Sequence, residues 1–562
     1  MQTFIFSITK NSVLVDELSG LDVEVTHEST VYYAGIPSTD AQALAALKTH
    51  HQLLEWFKET ETAQFLVFVH HKKTNTFYAF NDVFGYQEIF VLPHKGGLQI
   101  RSTVPYSGAE SYNYEALYEL LSFQAVMAPQ TVYDGVEVVP LAQCAVVDVS
   151  AVSCEYETYW DMGMFFENKE AKYDVLVGEL RDKFHNQILS KSSKNPSVAL
   201  SGGIDSGCIL GILYENYGDG LTTVSFGPYG KDSGDLESSR ITSDHFNSDN
   251  TELYPSRQMF LDLLRISPSL QTPISGELLL TNVQLLLSAK QSGADVMYFG
   301  YGTQMMLGNL GLNQLWHKLR WFESVTPKFI RDIVYKLYLR KTKDNRRAVL
   351  LSNGWRERFV YKYAPLFTRE QGLYKRVPGT FVATMQSKLQ PYTLQNTKVS
   401  DQIVEWCFSS WMNYGQGRNA AAIGRVVGVE AILPYNTPVV ARVLAKATDT
   451  TRKKNCWNKQ LWRDAIKPFI PEHLYERKGK SLTIRYNDIL VPEAPAIISY
   501  LEGNDLIADI IDCDQLRKTI NDLPEPGLLL LRLLSLAIWH DTRIGTQHVQ
   551  QVREVFKRLT FD

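Results

Sequence analysis

A chain of 562 residues is longer than one hydrophobic core usually organises, so the sequence predicts at least two domains. Its 44% apolar and 21% charged residues and formal net charge of -4 indicate neither a nucleic-acid nor an anionic-membrane partner. No apolar run approaches the roughly 18 residues of a membrane span, and MQTFIFSITK is not typical of a signal peptide. The six cysteines are scattered without a CxxC pair, which argues against a zinc site or a disulfide framework. We therefore expect a cytoplasmic protein.

The first part of the chain carries short apolar runs separated by turn-forming residues, a pattern typical of strands. These runs are TFIFSI, VYYAGI, FLVFVH, FYAFNDV, EIFVLP and LQIRS. Two stretches with helical periodicity lie among or after them, and we predict one helix in each: AQALAALKTHHQLLEWFKE and YEALYELLSFQAV. This mixture predicts an α+β sheet sandwich. The polar stretch ENKEAKYD marks a linker, which gives domains 1–168 and 169–562.

Beyond the linker, predicted strands alternate with predicted helices. A helix from Tyr173 to Leu189 precedes the strand SVAL, the helix GCILGILYENYG and the strand LTTVSFG. The helix-like segments ESSRITSDHF and NVQLLLSAKQSGA then precede the strand DVMYFG. This alternation predicts a parallel α/β sheet with right-handed crossovers. From about Leu310 onward the pattern is largely helical.

The turn after SVAL is the most informative segment of the sequence. Two glycines, Gly202 and Gly203, allow backbone N–H groups to approach an anion, and the following helix adds the positive end of its dipole. Ser201 and Ser206 supply hydroxyl donors, and Asp205 supplies a carboxylate for a Mg²⁺ ion that bridges phosphates. The alternative is a strand-to-helix turn without a ligand. The full pattern of strand, SGG, apolar residue, Asp, Ser and helix favours a pyrophosphate-binding loop.

This loop resembles that of the ATP-pyrophosphatase group, and nearly the whole chain resembles the asparagine synthetase family. Five further segments carry the resemblance: FNDVFGYQEIFV, TVYDGVEVVPLAQCAVVD, VSFGPYGKDSGDLESSR, GVEAILPYNTPVV and CWNKQLWRDAIKPFIPEHLYERKGK. The resemblance implies an N-terminal Ntn-type, glutaminase-like sandwich followed by an α/β ATP-pyrophosphatase domain with a mostly helical C-terminal part. It also implies ATP and Mg²⁺ as cofactors, with ATP cleaved between its α and β phosphates.

Two departures from the family pattern affect the expected function. Glutamine-hydrolysing members need a cysteine after the initiator methionine, whereas this sequence has Gln2 and no cysteine before Cys144. We therefore expect the first domain to be inactive as a glutaminase. In YFGYGTQMMLGNL, Gln304 takes the place of an aspartate that is the second protein ligand of magnesium in the family, and a neutral amide is a weaker ligand. This change implies weaker metal binding, more water ligands, or impaired catalysis.

The remaining site candidates follow from the same resemblance. Tyr301 matches a tyrosine that belongs to a base dyad in β-lactam-forming relatives, and the alternative is that it only stacks in the cleft. A C-terminal lysine in relatives stabilises charge on the pyrophosphate and the tetrahedral intermediate, and Lys480 or Lys478 matches it. The backbone groups of Val224 and Ser225 are expected at the adenine, as is usual at the ends of parallel strands. Gly300 is also assigned to the nucleotide site.

These observations predict an enzyme that adenylates a carboxylate and transfers the acyl group to an amine. In having no cysteine at position 2 and a tyrosine at position 301, the sequence resembles the glutaminase-deficient branch of the family, which contains β-lactam synthetases and lasso-peptide macrolactam cyclases. The expected partner is a small molecule or peptide with both a carboxylate and an amine, with a peptide or carrier protein as a further option. One alternative is an intermolecular amide ligase or an ammonia-dependent asparagine synthetase-like enzyme. Another is a degenerate protein that only binds a nucleotide or a partner.

Overall fold

The computed structural model describes most of the chain outside a long central stretch. The described ranges are 2–62, 64–105, 111–165, 171–191, 193–228, 234–302, 413–447, 459–477, 484–523, 525–545 and 548–561, with scattered positions between 325 and 384. The predicted domain boundary at 168/169 and the candidates Gln304, Lys478 and Lys480 lie outside the described residues.

The N-terminal part is a sandwich of two antiparallel sheets. One sheet has the order β2-β1-β8-β7-β9 and the other β11-β10-β6-β5-β4-β3. Alternate apolar side chains face the space between the sheets, where Phe4 lies 4.7 Å from Phe68 between ring centroids. The strands are β1 (Thr3–Thr9), β2 (Ser12–Ser19), β3 (Asp22–Val25), β4 (Ser29–Ala34), β5 (Leu66–His71), β6 (Thr76–Asn81), β7 (Phe90–His94), β8 (Gly97–Arg101), β9 (Glu137–Val138), β10 (Gln143–Asp148) and β11 (Ser153–Thr158).

The stretch predicted as one helix between the fourth and fifth strands is two helices, α1 (Ser38–Ala46) and α2 (His50–Glu59). The prediction of a single helix was wrong because Thr49 starts a new one. Thr49 has extended backbone angles, and its hydroxyl accepts the N–H of Gln52 in a capping box. Phe57 of α2 then stacks on Phe80 at 3.8 Å between centroids. The helix α3 (Tyr114–Phe123) agrees with its prediction apart from the last three residues.

The second part is built on a parallel sheet of order β14-β13-β12-β15-β16. Its strands are β12 (Pro196–Ala199), β13 (Thr222–Phe226), β14 (Asp249–Leu253), β15 (Val296–Tyr298) and β16 (Glu430–Ile432). β12 is buried along its whole length, as expected for a strand covered by helices on both faces. The chain leaves β12 toward β13 on one side and later returns to β15 on the other. The topological switch point therefore lies between β12 and β15, where ligands of such sheets bind.

Helices surround this sheet and continue to the C-terminus, so the predicted fold class is confirmed. Among the described residues, no helix has the length and apolar character needed to cross a membrane. The helices are α4 (Tyr173–Ser190), α5 (Ile204–Tyr217), α6 (Gly234–His245), α7 (Arg257–Ile266), α8 (Leu279–Gln291), α9 (Arg418–Val427), α10 (Pro438–Ala445), α11 (Gln460–Ile466), α12 (Glu472–Glu476), α13 (Tyr486–Leu490), α14 (Ala494–Glu502), α15 (Asp505–Ile510), α16 (Cys513–Thr519), α17 (Pro526–Ile544) and α18 (His548–Arg558).

Polar contacts join the sandwich to the parallel-sheet part. The guanidinium of Arg442, in α10, donates to the carbonyl oxygens of Lys58, Glu59 and Thr60 at the end of α2. These carbonyls have no acceptor role within their own helix, so Arg442 satisfies them. Gln64 donates from Nε2 to the carbonyl of Ala431 in β16 at 3.1 Å.

Candidate active site

The predicted phosphate loop connects β12 to α5. Gly202 has φ of +68°, and a Cβ at this position would lie 2.2 Å from the carbonyl oxygen of Asp235. Only glycine fits this conformation and this close approach. Gly203 is the N-cap of α5, a helix of 14 residues. The N–H groups in the first turn of this helix have no acceptor within it, and they point toward the loop after β12. The turn therefore offers backbone donors and a helix dipole to an anion.

Two serines close this turn on itself. The N–H of Ser201 donates to Oγ of Ser206 at 3.0 Å, and the two hydroxyl oxygens are also 3.0 Å apart. The Ser206 hydroxyl donates to the carbonyl oxygen of Gly203 at 3.3 Å. The structure thus brings Ser201, Gly202, Gly203 and Ser206 together in one small turn. The Ser206 hydroxyl therefore stabilises the turn itself.

Asp205 lies in the first turn of α5 and pairs with a lysine that is distant in the sequence. Its Oδ2 is 2.5 Å from Nζ of Lys459, and both side chains are largely buried. The hydroxyl of Tyr435 donates to the carbonyl oxygen of Asp205 at 2.7 Å. Tyr435 is itself held by stacking on Phe184. Lys459 and Tyr435 were not singled out from the sequence, because a lysine at the start of an amphipathic helix is usually solvated.

A second cation, Arg477, lies just after α12 and supports the turn together with residues of α6. Arg477 donates to the carbonyl oxygen of Gly202 and forms an ion pair with Asp235, whose side chain is 8% exposed. Ser238 also donates to the carbonyl oxygen of Gly202, at 2.9 Å. Two acidic and two basic side chains therefore surround the turn. Arg477 was not predicted from the sequence, because its pairing with Asp235 depends on tertiary packing.

The segment after β15 lies against the same turn. A Cβ on Gly300 would lie 3.1 Å from the backbone nitrogen of Ser206, which shows how closely the two loops approach. Tyr301 stacks on Phe299 at 5.2 Å and donates from its hydroxyl to Oδ1 of Asn282 at 2.6 Å. Burial raises the pKa of Tyr301 above its ordinary value, so its phenol is protonated at neutral pH. The structure therefore places Gly300 at the phosphate loop and gives Tyr301 an amide partner.

The two residues predicted at the adenine lie in β13, beside β12. The carbonyl of Val224 accepts the N–H of Leu200 at 2.9 Å, and the Ser225 hydroxyl donates to Oδ1 of Asn250 at 2.9 Å. Both side chains are buried. Their contact with adenine remains a prediction. It is compatible with their place in the strand that borders β12.

The donor set fits a magnesium ion held mainly by a substrate. Among the described residues, no group of three or more His, Cys, Asp or Glu side chains could hold a metal ion. Asp205 is a single carboxylate beside the phosphate loop, and Mg²⁺ is often bound by one or two carboxylates together with phosphate oxygens and water. Asp205 is thus suited to be one ligand of such an ion.

Two sequence comparisons relate the chain to known proteins. A family model described as "Asparagine synthase" matches residues 179–490, which include the phosphate loop, Tyr301 and Lys459. The chain is also 22% identical over 468 residues to "Asparagine synthetase [glutamine-hydrolyzing] 1" of Bacillus subtilis (strain 168), a match that covers 80% of this chain and 72% of that protein. Since the family model spans more than half of the sequence, the chain belongs to the asparagine synthase family of ATP-dependent amide-bond ligases.

Proposed function

We propose that the protein adenylates a substrate carboxylate with ATP and then closes a lactam or macrolactam with an amine of the same substrate. The observation that carries the adenylation step is the glycine-lined turn at the switch point, flanked by Lys459 and Arg477. We further propose a role in natural-product biosynthesis, for a small molecule or a peptide, with a carrier protein as a further partner. The matching relative supports the ligase chemistry but not the cyclisation.

In the first step, a carboxylate oxygen bonds to the α-phosphorus of ATP. The bond from this phosphorus to the oxygen that bridges to the β-phosphate breaks, and pyrophosphate leaves with the electron pair. The N–H groups of the turn after β12 are proposed to donate to the pyrophosphate, while Lys459 and Arg477 offset the negative charges of Asp205 and Asp235 beside it. Asp205 is the proposed protein ligand of magnesium, which would neutralise charge on the phosphates. Val224 and Ser225 border the proposed adenine position.

In the second step, the neutral amine nitrogen bonds to the acyl carbon, the bond from this carbon to the phosphate oxygen breaks, and AMP leaves with the electron pair. The proton released by the nitrogen passes to solvent water. Lys480 or Lys478, just after Arg477, is the proposed cation for the tetrahedral intermediate. Tyr301 is proposed to orient the substrate and to keep water out, because its protonated phenol is bonded to Asn282. Its alternative role is that of a proton relay.

We propose that the nitrogen does not come from glutamine, although the relative is named for glutamine hydrolysis. The first cysteine in the sequence is Cys144, in β10, and its side chain is fully buried. Burial raises the pKa of its thiol, so little thiolate exists at neutral pH. Cys144 is therefore not suited as a glutaminase nucleophile, and a substrate amine is the proposed nitrogen source.

Exchange of labelled pyrophosphate into ATP tests the first step. The purified protein is incubated with Mg-ATP, labelled pyrophosphate and a panel of amino-substituted carboxylic acids and peptides, and each product is weighed by mass spectrometry. We expect exchange that depends on one class of acid and a product lighter than that acid by one water. The matched variants are Asp205→Asn, which we expect to lose exchange, and Asp182→Asn, on the exposed face of α4, which we expect to retain it.

Each other outcome identifies a different function. A product that combines the acid with added ammonium or a second amine would indicate intermolecular ligation. Release of glutamate from added glutamine would contradict the proposed nitrogen source. Binding of Mg-ATP without exchange for any acid would overturn the ligase proposal in favour of a nucleotide-binding protein.

A further inference from the structure

The loop after β6 is held rigid by a buried carboxylate. Asp82 is fully buried and accepts the backbone N–H groups of Phe84 at 3.0 Å and of Tyr86 at 3.1 Å. The N–H of Gly85 also donates to the Asp82 carbonyl oxygen at 2.9 Å. These hydrogen bonds fix the backbone from Asp82 to Tyr86, so the side chain at the end of this segment points in a defined direction.

That side chain is Tyr86, which leaves the sandwich and packs among residues of the parallel-sheet part. A Cβ on Gly417, just before α9, would lie 2.8 Å from Cε1 of Tyr86. The Tyr86 hydroxyl shares a hydrogen bond with the side chain of Asn436. Tyr86 is 2% exposed, so the ring is enclosed by its neighbours.

Asn436 lies directly against the loop that contains Tyr301. Gly302 has φ of +106°, and a Cβ there would lie 2.1 Å from Oδ1 of Asn436. The preceding residue, Tyr435, bonds to the carbonyl oxygen of Asp205. The pair Tyr435 and Asn436 therefore contacts both halves of the candidate active site.

An ion cluster fixes the same loop to α9. Glu88 pairs with Arg418 at 2.9 Å and with Arg425 at 3.0 Å, and its side chain is 11% exposed. Arg425 also donates to the carbonyl oxygen of Tyr86. The backbone of Tyr86 is thus hydrogen-bonded to the parallel-sheet part. This contact limits the movement of the Tyr86 side chain away from Asn436.

We propose that Tyr86 of the sandwich is a positioning residue that holds the Gly300–Gly302 loop in place through Asn436. The sandwich would then serve amide formation as a mechanical support for the active site. The catalytic consequence rests on the proposed function, whereas the coupling between Tyr86 and the loop does not.

Hydrogen–deuterium exchange of the nucleotide-free protein tests the coupling directly. Tyr86→Phe removes only the hydroxyl, and Tyr159→Phe is the matched control. Tyr159 is also a buried tyrosine of the sandwich, and its hydroxyl donates to the carbonyl oxygen of Asn81 at 2.7 Å. We expect Y86F to speed exchange at residues 300–302 about fivefold, the effect of one lost hydrogen bond. We expect no change there in Y159F, although both variants lower Tm.

A double-mutant cycle and nucleotide binding complete the test. If Tyr86 acts through Asn436, the variant with both Y86F and Asn436→Ala exchanges no faster than Asn436→Ala alone. The dissociation constant for Mg-ATP, measured by calorimetry, should rise in Y86F and not in Y159F, since Gly300 contacts the phosphate loop. Unchanged exchange at 300–302 in Y86F, or equal effects in both variants, would overturn the proposal. Failure of the ligase function would appear separately, as absent pyrophosphate exchange in the unmodified protein.

Discussion

The ammonium of Lys459 lies 2.5 Å from the carboxylate of Asp205, across 254 positions of sequence. The contact joins the start of α11 to the first turn of α5, beside the phosphate loop. A cation at this place offsets the negative charge of Asp205, which would otherwise repel a phosphate bound beside it.

Replacing Lys459 by methionine removes the charge and keeps most of the side-chain volume. We expect the Mg-ATP dissociation constant to rise about tenfold, because a charge-assisted contact near the phosphates is lost. Calorimetric titration with Mg-ATP measures this change. The control is Lys446→Met, since Lys446 forms a pair of similar length, 2.6 Å, with Glu179 away from the loop. Equal ATP affinity in the two variants would show that Lys459 does not act on the nucleotide.

The glycine at position 202 is expected to be irreplaceable. Gly202→Ala places a Cβ into the Asp235 carbonyl and adds left-handed strain of about 1–2 kcal/mol, so both the free energy of unfolding and the affinity for Mg-ATP should fall. Gly178→Ala is the control, because a Cβ there meets no atom within 4 Å in α4. That change should stabilise the protein by about 0.5–1 kcal/mol. Urea unfolding of both variants provides the comparison, and a G202A protein with normal stability and ATP binding would refute the proposed geometry.

Removing the hydroxyl of Tyr301 separates its two proposed roles. With a protonated phenol bonded to Asn282, we expect Tyr301→Phe to slow amide formation less than about tenfold, below the range of a lost general base. The buried Asn282 oxygen loses its donor, which should cost about 1–3 kcal/mol of stability. Tyr486→Phe is a control for the stability loss, since its hydroxyl donates to the Glu277 carbonyl. Amide formation slowed a hundredfold with intact pyrophosphate exchange would instead identify Tyr301 as a proton relay.

Asp82 predicts a pH dependence of stability. Burial raises the pKa of Asp82 to about 7 from its ordinary value of 3.8, so between these values the folded protein keeps a proton that the unfolded chain releases. The free energy of unfolding should therefore fall as pH rises from about 4 to about 7, by at most about 1.4 kcal/mol per pH unit. The difference between the wild-type protein and Asp82→Asn, measured by urea unfolding at several pH values, isolates this effect. A difference independent of pH would show that Asp82 is ionised throughout.

The local parts of the site were predictable from the sequence, and its long-range parts were not. The SGG turn between a buried strand and a helix has its own pattern, so the strand–turn–helix geometry at Ser201 to Ser206 was predictable, while phosphate binding by this turn stays a prediction. Lys459 and Tyr435 reach Asp205 only through tertiary packing, and no local pattern predicts that contact. The roles of Lys478, Lys480 and Gln304 stay predictions, because these positions lie outside the described residues.

Local patterns also predicted most strands and helices of the fold, whereas features that depend on tertiary structure were missed. Runs such as FLVFVH appear as strands because alternating or continuous apolar residues need a buried face. The break between α1 and α2 was missed because the helical spacing of apolar residues continues on both sides of Thr49. Thr49 caps α2 only because its backbone becomes extended there, and the spacing does not show this change. The edge strands β2 and β3 are mostly exposed, so their hydrophobic signal is weak.

The contact of Arg442 with the end of α2 also bears on how the chain matures during synthesis. A ribosome releases the sandwich long before it releases α10, and domains made first generally fold first. Until Arg442 arrives, water must bind the carbonyls of Lys58, Glu59 and Thr60 in its place. We therefore expect the end of α2 to gain these Arg442 bonds only after synthesis has passed residue 442, and to fray more readily in a sandwich produced alone.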